Sequence, residues 1–469
     1  MATQLIEPER LSKLTDADPR DGDYVLYWMQ NAQRAEHNPA LEFAARRANE
    51  LKLPLLVGFG LTDDYPGANL RHYRFMLEGL AEVEASLERR GVAFTLRAGD
   101  PDRVAIDLAG DAAAVVVDRG YLRPQKQWRK SVADALADEC EFTQVEGEVV
   151  VPVDLVSDKR EYAARTIRSK INKRRGDFLV ELKTTPVKKD AGSLSIDDGL
   201  DLSDVPALCD SLTLDREVGP VSQFFEGGTT AAKTRLRALL DDGFDKYSAH
   251  RNQPQTSDLS YLSMALHFGQ ISPVEAVLMT LERYPEGENT DDFLEEVIVR
   301  RELTHNYVHF TPRDYDSYDA LPDWAKKTLA EHSGDEREHV YTRKELEAAE
   351  THDEYWNAAM REMKHTGYMH NYMRMYWGKK ILEWTNTPEY GNRITREIND
   401  KYFLDGRDAN SYANVNWIYG LHDRPWTERP VFGKTRYMNA NGLRRKCDID
   451  GYVEKVDRLV ERAEGESNS

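Results

Sequence analysis

Residues 367–384 read GYMHNYMRMYWGKKILEW, a stretch that joins helical periodicity to dense aromatic content. Apolar side chains recur there at spacings of three and four, which predicts one long helix over 366–384. Trp377 and Trp384 stand seven residues apart, and Trp356 lies one stretch upstream. At 1.5 Å per residue the indoles of Trp377 and Trp384 fall about 10 Å apart along the helix and on nearly the same face. That separation suits electron hopping between rings, and it equally suits a packed stripe of core aromatics.

Working outward, almost everything beyond residue 230 carries the same amphipathic spacing, at 232–242, 256–268, 273–284, 291–304 and 344–363. The first 155 residues differ. Short apolar runs at Tyr24–Trp28, Leu53–Phe59, Ala93–Leu96, Ala113–Asp118 and Phe142–Val153 alternate with helical stretches at 40–51 and 70–89. Such alternation predicts a parallel sheet with crossover helices. Residues 185–230 are rich in Asp, Ser, Gly and Pro and read as connecting chain. The expected organisation is an α/β domain over 1–155, an interdomain linker region over 156–230, an all-α domain over 231–463 and a disordered tail over 464–469.

The composition excludes several classes. Hydrophobic residues make up 40% and charged ones 31%, and no run approaches the roughly 20 apolar residues of a membrane span. The N-terminus has no apolar core of a secretory signal, so a cytoplasmic protein without membrane association is expected. Cys140, Cys209 and Cys447 are too scattered for a disulfide framework or a metal knuckle. His305 and His309 are four apart but lack the Glu of a zinc-binding H-E-x-x-H, so no metal site is expected. Nucleophile-elbow and Walker sequences are missing, and the two glycines of VGFG (57–60) are too few for a dinucleotide fingerprint.

A net charge of -19 argues against indiscriminate polyanion binding, yet two basic islands stand out. Lys159–Arg175 holds eight basic residues and one acid, and Arg429–Lys446 holds six and none. They read as phosphate contacts or as solvated helix faces.

Longer strings carry a specific resemblance. GYMHNYMRMYWGKKILEW, EINDKYFLDGRD (397–408), GLHDRPWTERPVFGKTRYMN (420–439), LRRKCDID (443–450), FLEEVIVRREL (293–303), KREYAARTIR (159–168) and YWMQNAQRAEHNPAL (27–41) resemble the class II cyclobutane pyrimidine dimer photolyases. The match spans essentially the whole chain. It implies a Rossmann-like α/β N-terminal domain and an all-α C-terminal domain that binds FAD, active as FADH⁻. The implied function is light-dependent repair of pyrimidine dimers in UV-damaged double-stranded DNA by a monomer, a carbon–carbon lyase. The alternative is a blue-light receptor of the cryptochrome type.

The resemblance also assigns residues. It places the FAD diphosphate on Leu259, Ser260, Tyr261, Leu262 and Ser263, with Tyr247 as a further ligand. Arg374 and Asp405 match a charge pair beside the isoalloxazine, and Asn399 matches an amide facing flavin N5. Trp377, Trp356 and Trp384 match the electron-transfer chain, from nearest the ring to nearest solvent. Glu296 matches the carboxylate that hydrogen-bonds the lesion, with Met375 and Trp417 as walls of its pocket. Arg251, Arg429, Arg444 and Arg445 join Glu296 and Trp417 on the DNA side. An antenna chromophore, 8-hydroxy-5-deazaflavin or none, is implied for the α/β domain. Two segments depart from the family pattern. LSYLSMALHFG (259–269) puts Tyr261 where a glycine is usual, and DANSYANVNW (408–417) puts Ser411 and Asn414 in place of two more. Crowding of the lesion pocket beside Trp417 is expected from the second.

Overall fold

Six segments pair into a sheet: β1 (Leu11–Lys13), β2 (Tyr24–Trp28), β3 (Leu55–Leu61), β4 (Ala93–Ala98), β5 (Ala112–Asp118) and β6 (Glu141–Val145). The computed structural model describes residues 6–467 apart from Ser193, Ser195, Asp197 and Asp198. The strand order is β1-β6-β5-β2-β3-β4, parallel throughout except for β1. Helices α1 (Pro39–Leu51), α2 (Leu70–Glu88), α3 (Pro101–Ala109) and α4 (Arg123–Leu136) make the crossovers. Every residue of β2, β3 and β5 is buried, as a sheet covered on both faces requires. This is why those runs are continuously apolar rather than alternating. The chain reverses its winding between β2 and β5, which places a topological switch point at their C-terminal ends. There Asp118 accepts hydrogen bonds from the backbone N–H groups of Gln30, Asn31 and Ala32 and from the Tyr27 hydroxyl, folding the loop after β2 over the sheet.

The structure departs from the sequence pattern in several places. The antiparallel edge strand β1 spans three residues, too few for a periodicity to register. β6 stops at Val145 although the apolar run continues to Val153. Beyond it, the Arg10 guanidinium donates to the carbonyls of Glu146, Val149 and Val150 at 3.0, 3.1 and 2.8 Å. Glu302 accepts from the N–H groups of Val150 and Val151. Side chains, not a neighbouring strand, satisfy this buried backbone. The segment 156–230 contains the helix Ala164–Phe178, whose Ile167, Ile171 and Phe178 enter the helical core, and the helix Val205–Ser211, which packs on the α/β half. The final helix, Ile449–Ser467, runs through most of the expected tail, because extending a formed helix gains a hydrogen bond for each residue fixed. Asn468 and Ser469 lie outside the described residues. No helix among the described residues is long and apolar enough to cross a membrane.

Arginines seam the two halves. Arg34, fully buried, donates to Glu148 at 2.7 Å, to the Gly269 carbonyl at 2.9 Å and to the Gly147 carbonyl at 3.0 Å. Gly269 has φ +64, and a Cβ there would lie 1.8 Å from the Asn31 carbonyl oxygen, so only glycine permits this approach. Arg71 on α2 donates to the carbonyls of Gly219, Met363, Lys364 and Tyr402.

Burial at the seam raises the Glu302 carboxyl to about 8 and lowers His305 to about 4. Between pH 4.5 and 8 the folded state binds the proton that unfolded Glu302 has lost, so this group makes stability fall as pH rises. Unfolded His305 binds a proton that the folded state does not between about pH 4 and 6.5, which opposes it there. Net loss is therefore expected from pH 6.5 to 8. Glu302→Gln should flatten that part of a melting-temperature profile, removing an effect on the order of 2 kcal/mol. An unchanged profile would show that Glu302 does not titrate in this range.

Candidate active site

Periodicity predicts a helix over 256–268, but the helix forms only over Ser263–His267. Tyr261 adopts φ +50, the left-handed conformation of the glycine it replaces, and this breaks the helix. The segment before the break has open donors. Among the described residues, neither the Ser260 and Ser263 hydroxyls nor the N–H groups of Ser260, Tyr261 and Leu262 find a partner. The Tyr261 ring packs edge-on against Tyr368 at 5.0 Å, and Tyr368 lies under the Arg374 guanidinium at 5.5 Å. Tyr247 is buried beside Phe244 and Phe293, with an unpartnered Ser248 hydroxyl next to it.

Arg374 projects from the first turn of the helix Asn371–Trp384. It pairs with Asp405 at 2.9 Å and lies 4.0 Å above the Phe403 ring. Asp405 sits in the loop after the helix Pro388–Tyr402, which also carries Asn399. The Asn399 amide donates to Asp400 Oδ1 at 3.0 Å and to Ser411 Oγ, while Asp400 is held by the Arg407 N–H at 2.9 Å. Both amide hydrogens are thus engaged, and Asn399 Oδ1 accepts no hydrogen bond among the described residues. This corrects the expectation for DANSYANVNW. Ser411 and Asn414 lie within the regular helix Ala409–Ile418, neither with positive φ. Ser411 is buried and anchors Asn399, whereas Asn414 is exposed and bonds Asn410. Neither imposes the backbone strain that loss of glycine suggested. The pairing joins different helices, so no sequence spacing reveals it.

The three tryptophans are all buried. Trp356 Nε1 donates to the Trp377 carbonyl at 2.9 Å, and its ring meets Trp384 at 5.5 Å between centroids. Trp377 Nε1 is buried without a partner among the described residues. Trp384, expected nearest solvent, is only 2% exposed and lies beneath Tyr341, His352 and Lys380. The predicted helix over 344–363 is broken into Arg343–Ala348 and Glu354–Thr366, because Ala349 takes φ +58 and Asp353 caps the second helix. That break delivers His352 to Trp384.

Glu296 stands on a π-helical turn, Glu295–Arg300, that interrupts the helical run through Phe310. Such turns are frequent at functional sites. Its carboxylate accepts from Arg251 at 3.1 Å, and Arg251 also faces Asp292 at 3.6 Å. Burial pushes the Glu296 carboxyl above the usual carboxylate range, with Arg251 opposing. Trp417 is half-buried, and Arg436 lies between its ring, at 5.1 Å, and that of exposed Trp426, at 4.6 Å. Met375 is half-buried beside Arg374. The basic islands are partly pre-engaged. Arg168 pairs with Glu295, Lys170 with Glu161, Arg444 donates to the Tyr355 hydroxyl, and Arg429 covers Tyr437, while Arg445 is exposed.

A separate pocket, about 760 Å³ with open solvent at its mouth included, occupies the switch point. Tyr65, Trp128 and Phe268 wall it together with Gln30, Gln33, His267 and Arg407; among the described residues, buried polar atoms of Gln30, Gln33 and Arg407 make no hydrogen bond, and His267 Nδ1 lies 3.9 Å from Asp408. Sequence reasoning missed this site, since it draws on the loop after β2, on β3, α2 and α4, and on the helical half together.

The fold is that of the photolyase and cryptochrome class. It superposes on a bacterial class III photolyase from Agrobacterium tumefaciens with a TM-score of 0.71 at 20% identity, covering 94% of this chain and 88% of that one. A Synechocystis cryptochrome gives a TM-score of 0.65 at 14% identity, covering 93% and 99%. Residues 25–189 match the DNA photolyase family. Over 458 residues the chain is 46% identical to the deoxyribodipyrimidine photo-lyase of Methanothermobacter thermautotrophicus, covering 97% of this chain and 100% of that one. It is 39% identical to that of Potorous tridactylus, covering 92% and 81%. The chain belongs to the DNA photolyase family.

Proposed function

We propose that the protein repairs cyclobutane pyrimidine dimers in double-stranded DNA under light, as a class II enzyme with FAD. The observation that carries this reading is the joint placement of the Arg374–Asp405 pair, the anchored Asn399 amide and the buried tryptophan row around the helix Asn371–Trp384. FAD suits the residues present: the unpartnered donors of 260–263 and the Tyr247 region fit an anionic diphosphate, and Arg374–Asp405 with Asn399 fit the ring. Bound and reduced, FAD supplies the electron that light transfers to the dimer and that returns once two ring bonds have split.

The chain's own residues do the rest. Arg374 fixes a cation beside the site that a reduced, anionic ring occupies. Asn399 Oδ1 accepts, and with both amide hydrogens engaged it favours a protonated partner. Trp417 and Met375 wall an apolar slot for a flipped dinucleotide. Glu296, whose carboxyl burial shifts upward, donates to a lesion carbonyl in its protonated form. Tryptophans relay electrons inward when the cofactor is oxidised. The switch-point cavity suits a flat antenna with polar edges, and 8-hydroxy-5-deazaflavin has that chemistry. Three free thiols suit a reducing cytoplasm.

A signalling receptor is the competing reading. Glu296 on its π-turn and the basic islands favour repair, and the likeness to a cryptochrome, at 14% identity, concerns the fold alone. Splitting of a dimer-containing duplex oligonucleotide in light and not in darkness tests the proposal. No splitting in either condition rejects it.

Glu296→Ala should lower repair yield or lesion affinity several-fold, since losing one partner of a buried hydrogen bond costs about 1–3 kcal/mol. Glu296→Gln, which keeps a neutral donor, should lose less, and its yield should not decline at high pH as that of the Glu protein does. Equal yields for all three forms would remove Glu296 from the lesion site. For the basic islands, DNA affinity should fall with salt at a logarithmic slope of about -0.9 per phosphate neutralised. The slope should be shallower than the island charge count implies, because Arg168 and Lys170 already face carboxylates. A flat response would mark the islands as solvated surface.

A further inference from the structure

We propose that Tyr341, with His352 as its proton acceptor, is the terminal electron donor of the tryptophan row and carries its oxidising equivalent from buried Trp384 to the surface. This rests on the reading of Trp377, Trp356 and Trp384 as an electron path.

A row that ends at Trp384 ends inside the protein, since that ring is 2% exposed. What covers it is oxidisable. The Tyr341 ring meets Trp384 edge-on at 5.2 Å between centroids and 74°, and the Tyr341 N–H donates to the Trp384 carbonyl at 3.2 Å. The phenol is clamped by one residue from two sides: its oxygen bonds His352 Nδ1 at 2.7 Å and accepts from the His352 backbone N–H at 2.9 Å. The backbone donor occupies a lone pair of the phenol oxygen and so directs the O–H toward Nδ1. An oxidised phenol is a strong acid, so its oxidation at neutral pH needs a base within hydrogen-bond reach. His352 meets that need with its proton on Nε2. Burial lowers its pKa, as do the neighbouring His339, stacked on it at 3.7 Å, and Lys380, while Asp353 and Glu338 oppose them. The shift favours the neutral imidazole, the form that can accept the proton. Lys380 Nζ also stands 5.5 Å over the Trp384 ring, and a cation there disfavours positive charge on the indole. Lys380 is itself paired with Glu383 at 2.7 Å, which tempers this effect.

The step balances. Photoexcited oxidised flavin is the oxidant that leaves Trp384 short of one electron through the row. One electron passes from the Tyr341 phenol to Trp384, the phenolic O–H bond breaks, and the proton moves to His352 Nδ1. Trp384 is reduced, Tyr341 is oxidised to the neutral radical, and the positive charge passes from indole to imidazole. A thiolate in solution then returns the electron, and His352 returns the proton.

Flash excitation of the full-length protein with oxidised FAD, followed by transient absorption and electron paramagnetic resonance, tests this. In the unaltered protein an oxidised indole should give way to a neutral tyrosyl radical, whose resonance lines narrow when ring-deuterated tyrosine is incorporated. Tyr341→Phe should stop at the oxidised indole, and stable photoreduction should fall. His352→Gln, which removes the base and leaves Tyr341 in place, should also lose the tyrosyl signal. Retained FAD absorbance and circular dichroism confirm that each variant is folded, and the deuteration result needs no variant. An oxidised indole that decays with no tyrosyl signal, or with unchanged kinetics in Tyr341→Phe, overturns the assignment of Tyr341. If no indole is oxidised at all, the tryptophan path itself falls, and this proposal with it.

Discussion

Trp377→Phe is expected to remove light-driven reduction of oxidised FAD almost completely, measured as bleaching of the oxidised absorbance under blue light with an external thiol. The effect is large because the row is serial. Trp356 touches Trp384 on one side and is tied to the Trp377 carbonyl on the other, so removing the first indole disconnects both of the others. Phenylalanine retains an aromatic ring in a fully packed place and removes only the oxidisable indole, including an Nε1 that has no partner among the described residues. Its cost in stability should therefore stay below the about 3–5 kcal/mol of truncating a buried Trp to Ala. Unchanged FAD binding in the variant separates loss of the electron path from loss of the fold. Photoreduction at the unaltered rate would mean that another route supplies the electron and that these tryptophans are only core.

Trp417→Ala is expected to weaken binding of dimer-containing duplex by roughly tenfold or more while changing affinity for undamaged duplex much less. Stacking on an aromatic ring is worth about 1–3 kcal/mol per base, and a flipped lesion reaches such a wall where paired bases do not. Trp417 is half-buried and its other neighbour is Arg436, which also lies against Trp426. Truncation therefore frees Arg436 as well as emptying the wall. Trp417→Phe, which keeps a ring against Arg436, should recover most of the discrimination and so identify stacking as its source. Competition binding with damaged and undamaged duplexes gives both numbers. Equal losses on the two duplexes would make Trp417 scaffold and would favour the receptor reading.

How much of this could be read from the chain varies with how local the determinant is. Tyr24–Trp28 and Ala113–Asp118 were legible as strands because a buried parallel sheet demands apolar side chains on both faces, and Ala93–Leu96 as a short apolar run at the sheet edge. The helical half was legible because core contact recurs every three or four residues along each helix. Long matching strings carried the roles of Arg374, Asp405 and Asn399, and the fold brings the first two within 2.9 Å. Where the pattern misled, a local conformation or a distant side chain had taken over. Tyr261 and Ala349 turn left-handed inside amphipathic runs, and Arg10 and Glu302 cap a backbone that reads as strand.

By itself, then, the sequence determined the two-part architecture, the helical placement of the tryptophans and the family, all of which rest on periodicity or on contiguous residues. Only the tertiary structure decided that Ser411 anchors Asn399, that Glu296 rides a π-turn against Arg251, that a polar-lined cavity opens at the switch point, and that Tyr341 and His352 close over Trp384. Each of these joins side chains from separate elements, and a hydrogen bond or ring contact of a few ångströms between them has no counterpart in spacing along the chain. It exists only once the hydrophobic cores have set the distances between helices.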